Sequence, residues 1–587
     1  MIRRWGTWGL LVAALVMVAG VGYTVRRARG QTPLSITGPN ILANHDFALN
    51  IDADQQLPDG WTRGTNGVAL SDSSYDGQGQ SVQIQGINNF LKSPYVAARP
   101  GAEYRVAFRA LSDASATKVR VLFHWRDAEG LDRATDPQPF QPVPVQQWNT
   151  ISATATAPDY AAQFALSIQG ATDAVVFIDD LHLGQLGVHI APWPYGKQAA
   201  LAFSFDYETA MGGLVHGRSV DDPQAGGDYL LRALRMRGGA EQALKLFAPG
   251  GIRATFYANG YNFLTGNVER RTFMGNPTYA WANPEHRWLS DRWQRTPWFG
   301  VDPYTTEAEA PEWYFGSQIA TLQRAKQDIQ SHTFAHFAGT YVGPDDWRAD
   351  FAAWKQVAAE RDVAPATSLA FPWSSSADMS YASWDVLVRE GIRSVTRTTV
   401  SEGQRRSWIA DRTHFALRQL PAHPELAVIG DVYLTPDSRD EVLQAMRTAW
   451  LHQGAIDVWA HTEEVTSEEQ IAAWQQVIDA ARRDFWIAPV PEIVQYAAAV
   501  RQVSVEVRAE RPDYTFRVRN SSDQALGGVT LTLPFVPEQV IVDGERVAFD
   551  RTTLVLDLPR KSSRQVTLLG GAPQAVQPPE EEAAWPA

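Results

Sequence analysis

The sequence predicts a multidomain protein in which an α/β domain, a distorted (β/α) barrel, is flanked by an N-terminal β-sandwich and a small C-terminal β-sandwich. The chain of 587 residues is too long for one hydrophobic core, because single domains usually hold about 50–200 residues. Residues 38–188 and 502–570 consist of short alternating apolar runs, which is typical of sandwiches. Residues 195–500 alternate strand-like and helix-like segments, which indicates a parallel sheet or barrel.

Composition excludes several functional classes. The net charge of −13 argues against nucleic acid as a partner, because phosphate binding needs concentrated basic surface. The chain has no cysteine, which excludes disulfides, a thiol nucleophile and cysteine-ligated zinc. The 21 tryptophans fit a protein that stacks sugar rings on flat apolar faces, although most of them are expected in cores.

Residues 1–30 contain an apolar run from Trp5 to Val25 that carries no charge. At about 1.5 Å per residue, this run is long enough to cross a bilayer as a helix. Arg26, Arg27 and Arg29 follow it where a cleavage site of small residues would be expected. We therefore predict an uncleaved signal anchor and expect contact with the membrane through this segment only.

Residues 38–188 open with NILANHDF and LPDGW and close with FIDDLHLG, which look like the first and last strands of carbohydrate-binding jelly-roll modules. Four aromatic residues of this module are candidates for sugar contact: Trp61, Phe123, Trp125 and Trp148. The alternative is that these side chains form the core and that the module is a spacer.

The α/β region continues through a regular series of segments. The predicted strands are residues 200–208, 251–259, 367–373, 392–398, 455–461 and 485–489, and the predicted helices are residues 380–391, 438–454, 468–483 and 490–500. Another helix starts near Asp345 or Asp346, whose side chain can cap it, and places Trp347, Phe351 and Trp354 on one face. Residues 261–316 interrupt the series with a tryptophan-rich loop, which either shapes a glycan cleft or covers the barrel mouth against water.

Two acids stand at the end of the first of these strands. Because side chains of a strand alternate between its faces, Asp206 and Glu208 point the same way and Tyr207 points the other. An ordinary explanation is that one acid caps the next helix or pairs with an arginine. Two acids in one small space can also bind a metal ion or transfer protons.

Histidines occur at two places that could complete such a site. His332 and His336 are four residues apart, so a helical turn would place both imidazoles on one face, where they can bind one metal ion. His461 ends the predicted strand 455–461. We expect Asp457, earlier on that strand, to stay out of the site.

The order of these segments resembles the polysaccharide deacetylases with the NodB homology domain, carbohydrate esterase family 4. The matching motifs are SFDYE (204–208), ATFY (254–257), HTFAH (332–336), AFPW (370–373) and VWAH (458–461), and they span about half of the chain. Two departures are clear. Tyr207 stands where the family's TFDDG motif has its metal aspartate, and the arginine usual before the Pro-aromatic motif is missing.

The resemblance implies an active site at the carboxyl ends of the barrel strands and a divalent metal ion, with zinc expected. His332, His336 and Glu208 would be the metal ligands, although Asp206 and Glu208 are interchangeable at this stage. Asp206 would act as the catalytic base, and His461 would protonate the leaving amine. The implied reaction removes N-acetyl groups from an acetylated polysaccharide, which places the protein outside the cytoplasm, anchored to the membrane or secreted. The alternatives are an inactive carbohydrate-binding surface protein and a deacetylase of peptidoglycan or of a small amide.

Residues 502–570 return to short β-strands that carry no chemical cluster, so we expect a structural role for them. Residues 571–587 are rich in proline and glutamate and are predicted to be a disordered acidic tail.

Overall fold

The computed structural model describes residues 40–50, 57–75, 77, 79–215, 228–275, 277–288, 292–297, 301–399, 410–510 and 513–570. The predicted signal anchor (1–30) and the predicted acidic tail (571–587) lie outside these residues. Among the helices of the described part, none is both long enough and apolar enough to cross a membrane.

The N-terminal module is built from two antiparallel sheets that face each other across an apolar core. Its strands are β1 (Thr62–Arg63), β2 (Val68–Ser71), β3 (Ser81–Ile84), β4 (Phe90–Lys92), β5 (Val96–Ala97), β6 (Glu103–Ser112), β7 (Thr117–Arg126), β8 (Asp132–Pro137), β9 (Gln141–Val143), β10 (Asn149–Thr156), β11 (Gln163–Gly170) and β12 (Val176–Gln185). One sheet has the order β1-β4-β11-β7-β8, with β5 on β11 and β9 on β7, and the other has the order β10-β6-β12-β3-β2. This arrangement agrees with the β-rich fold predicted for residues 38–188.

The four aromatic residues proposed for sugar contact belong to the interior of this module. Phe123 and Trp125 are buried where the two sheets meet, and Trp61 and Trp148 are only 4% and 6% exposed. Trp125 lies 5.1 Å from the Phe164 ring. Of the two alternatives, the structure therefore favours burial within the module over sugar contact for these side chains.

The second region contains mainly parallel strands. They are β14 (Ala199–Tyr207), β15 (Thr255–Ala258), β16 (Asp328–Ser331), β17 (Ser368–Ala370), β18 (Ser394–Thr396), β19 (Arg418–Leu420), β20 (His423–Val428), β21 (Gly430–Tyr433), β22 (Ala455–His461) and β23 (Phe485–Ile487). Their order is β19-β20-β18-β17-β16-β15-β14-β22-β21, with β23 beside β14. Ile429 is the single residue between β20, which pairs with β18, and β21, which pairs with β22. Ile429 therefore links strands from the two ends of this order, so the sheet curves back on itself and is barrel-like.

Helices join these strands and cover the outside of the barrel-like sheet. They are α1 (Ala210–Gly213), α2 (Tyr229–Phe247), α3 (Gly316–Arg324), α4 (Pro344–Ala359), α5 (Tyr381–Arg389), α6 (Arg439–Leu451), α7 (Glu468–Asp484) and α8 (Val490–Val500). Trp347, Phe351 and Trp354 are buried on one face of α4, as predicted. The predicted cap differs in detail, because Gly343 is the N-cap and the Asp346 carboxylate accepts a hydrogen bond from its backbone N–H at 2.9 Å.

The C-terminal region forms two small sheets that share a core with the base of the barrel-like sheet. Its strands are β24 (Val503–Ala509), β25 (Tyr514–Asn520), β26 (Leu526–Thr532), β27 (Gln539–Val542), β28 (Glu545–Val547), β29 (Thr553–Leu558) and β30 (Ser562–Leu569). One sheet has the order β24-β25-β30-β27-β28, and the other pairs β13 (His189–Ile190) with β26 and then β29. The apolar core of this region includes Ala200 and Ala455, at the starts of β14 and β22. These sheets therefore cover the end of the barrel-like sheet that lies opposite the carboxyl ends of its strands.

The N-terminal module is attached to the barrel-like region through the loop that follows α6. Nδ1 of His452 accepts a hydrogen bond from the backbone N–H of Tyr95 at 2.9 Å. The side chain of Gln453 accepts another from the N–H of Ala97 at 3.1 Å. His452 is buried, and burial lowers its pKa to about 3. A neutral imidazole is thus part of this contact.

Candidate metal centre

The acid pair lies at the carboxyl end of β14, a strand that is buried along its whole length. Both faces of β14 are apolar, because Leu201, Phe203 and Phe205 belong to one buried core, and Ala200 and Ala202 belong to another. Asp206 is 4% exposed and Glu208 is 2% exposed. Both carboxylates approach Nε2 of His332, at 3.8 Å for Asp206 and 3.4 Å for Glu208. The prediction that the two acids share one space is confirmed by this geometry.

The two histidines of the HTFAH motif meet at the same place, but the segment that carries them is not helical. It leaves β16 in an irregular path with positive φ angles at Thr333 (58°) and His336 (49°). The buried carboxylate of Asp350, from α4, fixes this path by accepting hydrogen bonds from the N–H groups of Phe334 and Ala335. The predicted helical turn is wrong, because these side-chain bonds replace helical backbone bonds.

The imidazoles of this motif nevertheless converge on one atom. Nε2 of His332 is 3.4 Å and Nε2 of His336 is 3.3 Å from Oε1 of Glu208. Nδ1 of His332 lies 2.9 Å from the carbonyl oxygen of Ala370 and must donate to it. Nε2 therefore keeps a lone pair with which it can bind a metal ion.

His461 approaches Glu208 from the neighbouring strand β22. In the register of the sheet it stands opposite Asp206, and its Nε2 is 3.6 Å from Oε1 of Glu208. Its Nδ1 is 3.4 Å from the carboxylate of Glu464, which also accepts a hydrogen bond from the hydroxyl of Tyr433. Burial alone would lower the pKa of His461, but the hydrogen bond and charge of Glu464 outweigh burial and raise it.

The donor set fits a divalent metal ion. Ligand atoms of Glu208, His332 and His336 all lie within 4.8 Å of one another, and Asp206, Glu208 and His461 form an overlapping group. For a tetrahedral ion with bonds of about 2.0–2.1 Å, ligand atoms lie about 3.3 Å apart. The contacts of Glu208 with His332 and His336, at 3.4 Å and 3.3 Å, match that spacing. Two imidazoles and one carboxylate also leave a coordination position open, as in catalytic sites.

A buried ion-pair network lies directly beneath these residues. Arg397, which follows β18, contacts Asp206 at 3.0 Å and Asp457 at 2.5 Å, and it donates to Ser204 Oγ at 2.9 Å. Its guanidinium also packs 4.2 Å from the centre of the Trp459 ring. Arg397 is therefore a buried cation beside Asp206, in a chain that has no arginine directly before AFPW.

This network corrects the expectation for Asp457. Asp457 and His461 are four residues apart on β22 and so share a face of the strand. Asp457 is fully buried and is joined to the site through Arg397. Burial raises the pKa of Asp457, although Arg397 acts in the opposite direction.

A second arginine holds the other side of Glu208. Arg232, on α2, donates to Oε2 of Glu208 at 2.6 Å and to Glu463 at 2.7 Å. Burial alone would raise the pKa of Glu208, but Arg232 and the neighbouring histidines hold it well below its usual range. Glu208 is therefore an anion whose Oε1 faces the histidines while Oε2 is bound to arginine.

The tryptophan-rich segment 261–316 packs against the metal side of the site. Trp281 and Trp288 contact each other, and both lie against Trp373. The centre of the Trp373 ring is 5.5 Å from that of Trp288 and 6.3 Å from that of Trp281. Trp373 in turn lies 5.5 Å from the ring of His336. Trp281 and Trp288 are 8% and 6% exposed, so this packing favours the cover of the barrel mouth over an open stacking surface.

Three residues of the site were not found from the sequence. Arg397 and Glu464 each follow a strand at its carboxyl end, so position could have singled them out, and Glu464 also lies three residues after His461. Arg232 lies on a helix that carries two other arginines, Arg235 and Arg237, and no sequence signal distinguishes it from them.

Comparisons with known proteins give similarity at the level of structure. No protein-family model matches the chain. No curated protein matches it either.

A candidate polysaccharide deacetylase from Mycobacterium smegmatis is 16% identical, with a TM-score of 0.35, over 52% of this chain and 92% of that chain. The allantoinase Puue is 15% identical, with a TM-score of 0.32, over 52% of this chain and 92% of its own. The CBM22-1 xylan-binding domain from Paenibacillus barcinonensis Xyn10C is 15% identical, with a TM-score of 0.21, over 26% of this chain and 96% of that domain.

Proposed function

We propose that this protein is a metal-dependent hydrolase that removes acetyl groups, N-acetyl groups above all, from an extracellular or cell-wall polysaccharide. The observation that carries the proposal is the convergence of His332, His336 and Glu208 on one point, with Asp206 and His461 beside it. The motif order of the sequence supports the same activity.

Zinc is the metal that this donor set favours, because nitrogen and carboxylate ligands in a compact group suit it. His332, His336 and Glu208 would hold it. A bound zinc ion would supply an acidified water molecule and polarise the acetyl carbonyl.

Asp206 would act as the general base. Its Oδ1 lies 3.0 Å from the guanidinium of Arg397, and its Oδ2 lies 3.8 Å from Nε2 of His332. Oδ2 would accept the proton of the attacking water as the oxygen bonds to the acetyl carbon.

His461 is placed to act as the general acid. Glu464 holds its Nδ1 and raises its pKa, so the protonated imidazole persists at higher pH than a free histidine. As the carbon–nitrogen bond breaks, Nε2 would give its proton to the leaving amine, and acetate and a free amino sugar would result.

We also propose that the catalytic region works outside the cytoplasm, either held by a signal anchor at residues 1–30 or secreted. The apolar run of that segment and the polymeric substrate inferred for the site support this location.

The experiment is acetate release by the purified full-length chain. We expect acetate from N-acetylated hexosamine polymers in the presence of zinc, loss of release after chelation, and recovery on zinc addition. About one zinc ion per chain is expected by elemental analysis, and both His332→Ala and His336→Ala should lose it. Asp206→Asn should keep the metal and lose the activity.

Other outcomes separate the alternatives. A chain that binds no metal, as purified or after addition, would contradict the hydrolase mechanism and favour the inactive carbohydrate-binding protein. Acetate from peptidoglycan or from a small amide alone would replace the polysaccharide substrate and keep the chemistry.

A further inference from the structure

Arg232 is a buried cation whose place in the site the sequence motifs do not account for. It is 3% exposed, and its guanidinium bridges two carboxylates that belong to different parts of the chain. Nη1 donates to Oε2 of Glu208 at 2.6 Å, and Nε donates to Glu463 at 2.7 Å. One planar side chain thus connects the metal carboxylate with the turn that follows β22.

The space around this bridge leaves little room for movement. A Cβ atom on Gly212 would lie 2.5 Å from Oε2 of Glu208, so α1 closes over the carboxylate. A Cβ atom on Gly239 would lie 1.7 Å from the carbonyl oxygen of Thr462, so α2 is in direct contact with the turn Thr462–Val465. Both glycines allow backbone to approach where any other residue would hold it away.

We propose that Arg232 is a positioning residue that presents Oε1 of Glu208 alone to the metal ion, and that Glu463 anchors Arg232 in this role. The inference rests on the proposed function, since it concerns the same metal centre.

The longer side chain at position 208 gives the physical reason. Glu208 carries its carboxylate on one more rotatable bond than an aspartate would. Without support it would therefore have more rotamers to lose on binding an ion. Arg232 selects one of these rotamers by binding Oε2, which leaves Oε1 as the oxygen that faces the histidines.

The test compares two arginines of α2 in the full-length chain. Arg232→Met removes the contact with Glu208, whereas Arg235→Met removes an arginine that pairs with Glu463 only and is half exposed. We measure the dissociation constant of Zn²⁺ by competition with a chromogenic chelator and the visible absorption of the Co²⁺-loaded chain. Loss of a residue that orients a ligand typically weakens metal binding 10- to 100-fold.

We expect that weakening in Arg232→Met, together with lower Co²⁺ absorption, because a carboxylate that binds through both oxygens raises the coordination number. Arg235→Met should stay within about twofold of the wild type. Folding is monitored by circular dichroism, and Arg232→Lys, which keeps the charge but loses the planar fork, should also bind Zn²⁺ at least about tenfold more weakly.

Three results would overturn the inference. Unchanged Zn²⁺ affinity and Co²⁺ absorption in Arg232→Met would refute it and leave the proposed function standing. If Arg232→Met does not fold, Glu463→Gln takes its place, and an unchanged affinity there refutes the anchoring role. A wild-type chain that binds neither Zn²⁺ nor Co²⁺ refutes the proposed function and this inference together.

Discussion

Two consecutive glycines of α2 provide a sharp test of how the helix positions the site. Gly239 faces the turn Thr462–Val465, where an added Cβ atom would lie 1.7 Å from the carbonyl oxygen of Thr462. Gly238 is exposed and would meet nothing within 4 Å. Gly239→Ala and Gly238→Ala therefore make the same chemical change in the same helix with opposite steric consequences.

The size of the effect follows from these distances. Real Cβ contacts are not shorter than 3.0 Å, so Gly239→Ala must separate α2 from the turn by 3.0 − 1.7 = 1.3 Å. Overpacking of this kind costs about 1–3 kcal/mol of stability. Misplacement of a catalytic arrangement by about 1 Å can reduce the rate about 100-fold. Gly238→Ala should instead stabilise the helix by about 0.5–1 kcal/mol.

The assay is thermal unfolding together with metal affinity and acetate release for both variants. We expect Gly239→Ala to lose stability, bind Zn²⁺ more weakly and release acetate about 100-fold more slowly. Gly238→Ala should retain wild-type affinity and rate. A Gly239→Ala variant with wild-type metal affinity and activity would refute the idea that α2 and the turn fix the site together.

Further predictions concern the buried charges. Arg397→Met should lower the melting temperature of the barrel-like region by about 10 °C in calorimetry, because it leaves buried carboxylates without their cation. The double variant Arg397→Met/Asp457→Asn should recover about half of that loss. No recovery would show that Arg397 and Asp457 are not coupled. Glu464→Gln should move the basic limb of the rate profile to lower pH, because His461 loses the partner that raises its pKa, and an unmoved limb would argue against His461 as the acid. Burial lowers the pKa of His452 to about 3 in the folded chain, whereas a free histidine has a pKa of about 6.5. As the pH falls below about 6.5, His452 is protonated in the unfolded chain first, and the fold loses stability progressively towards pH 3. His452→Gln, which keeps an acceptor for Tyr95, should flatten this pH dependence, and an unchanged slope would place its origin elsewhere.

The parts of the fold that the sequence predicts well are those with strong local periodicity. Strand 455–461 and helix 490–500 appear within the predicted bounds as β22 and α8. The shared direction of Asp206 and Glu208 follows from strand alternation alone, and the structure shows it. These features depend on neighbours along the chain, so a single sequence contains them.

Features that depend on distant partners were missed or predicted wrongly. The HTFAH segment was expected to be helical, but Asp350, from α4, accepts its N–H groups and imposes another path. The aromatic candidates for sugar contact in the N-terminal module are all buried, and Trp61, Phe123 and Trp125 belong to its core, because exposure depends on the second sheet. Arg232 meets Glu208 across 24 residues, and Arg397 meets Asp206 across a much longer separation that no local pattern encodes.

In the proposed reaction, both departures from the motif pattern have a counterpart elsewhere in the chain. That reaction needs a cation beside Asp206 and a carboxylate facing the histidines, whichever strand supplies them. Arg397 follows β18, which pairs with β17, so the cation comes from the strand next to AFPW and still lies 3.0 Å from Asp206. Glu208 follows β14 one residue later than expected and is held by Arg232. Parallel strands bring their carboxyl ends to one edge, so a residue moved by one strand or one position stays within reach of the same centre.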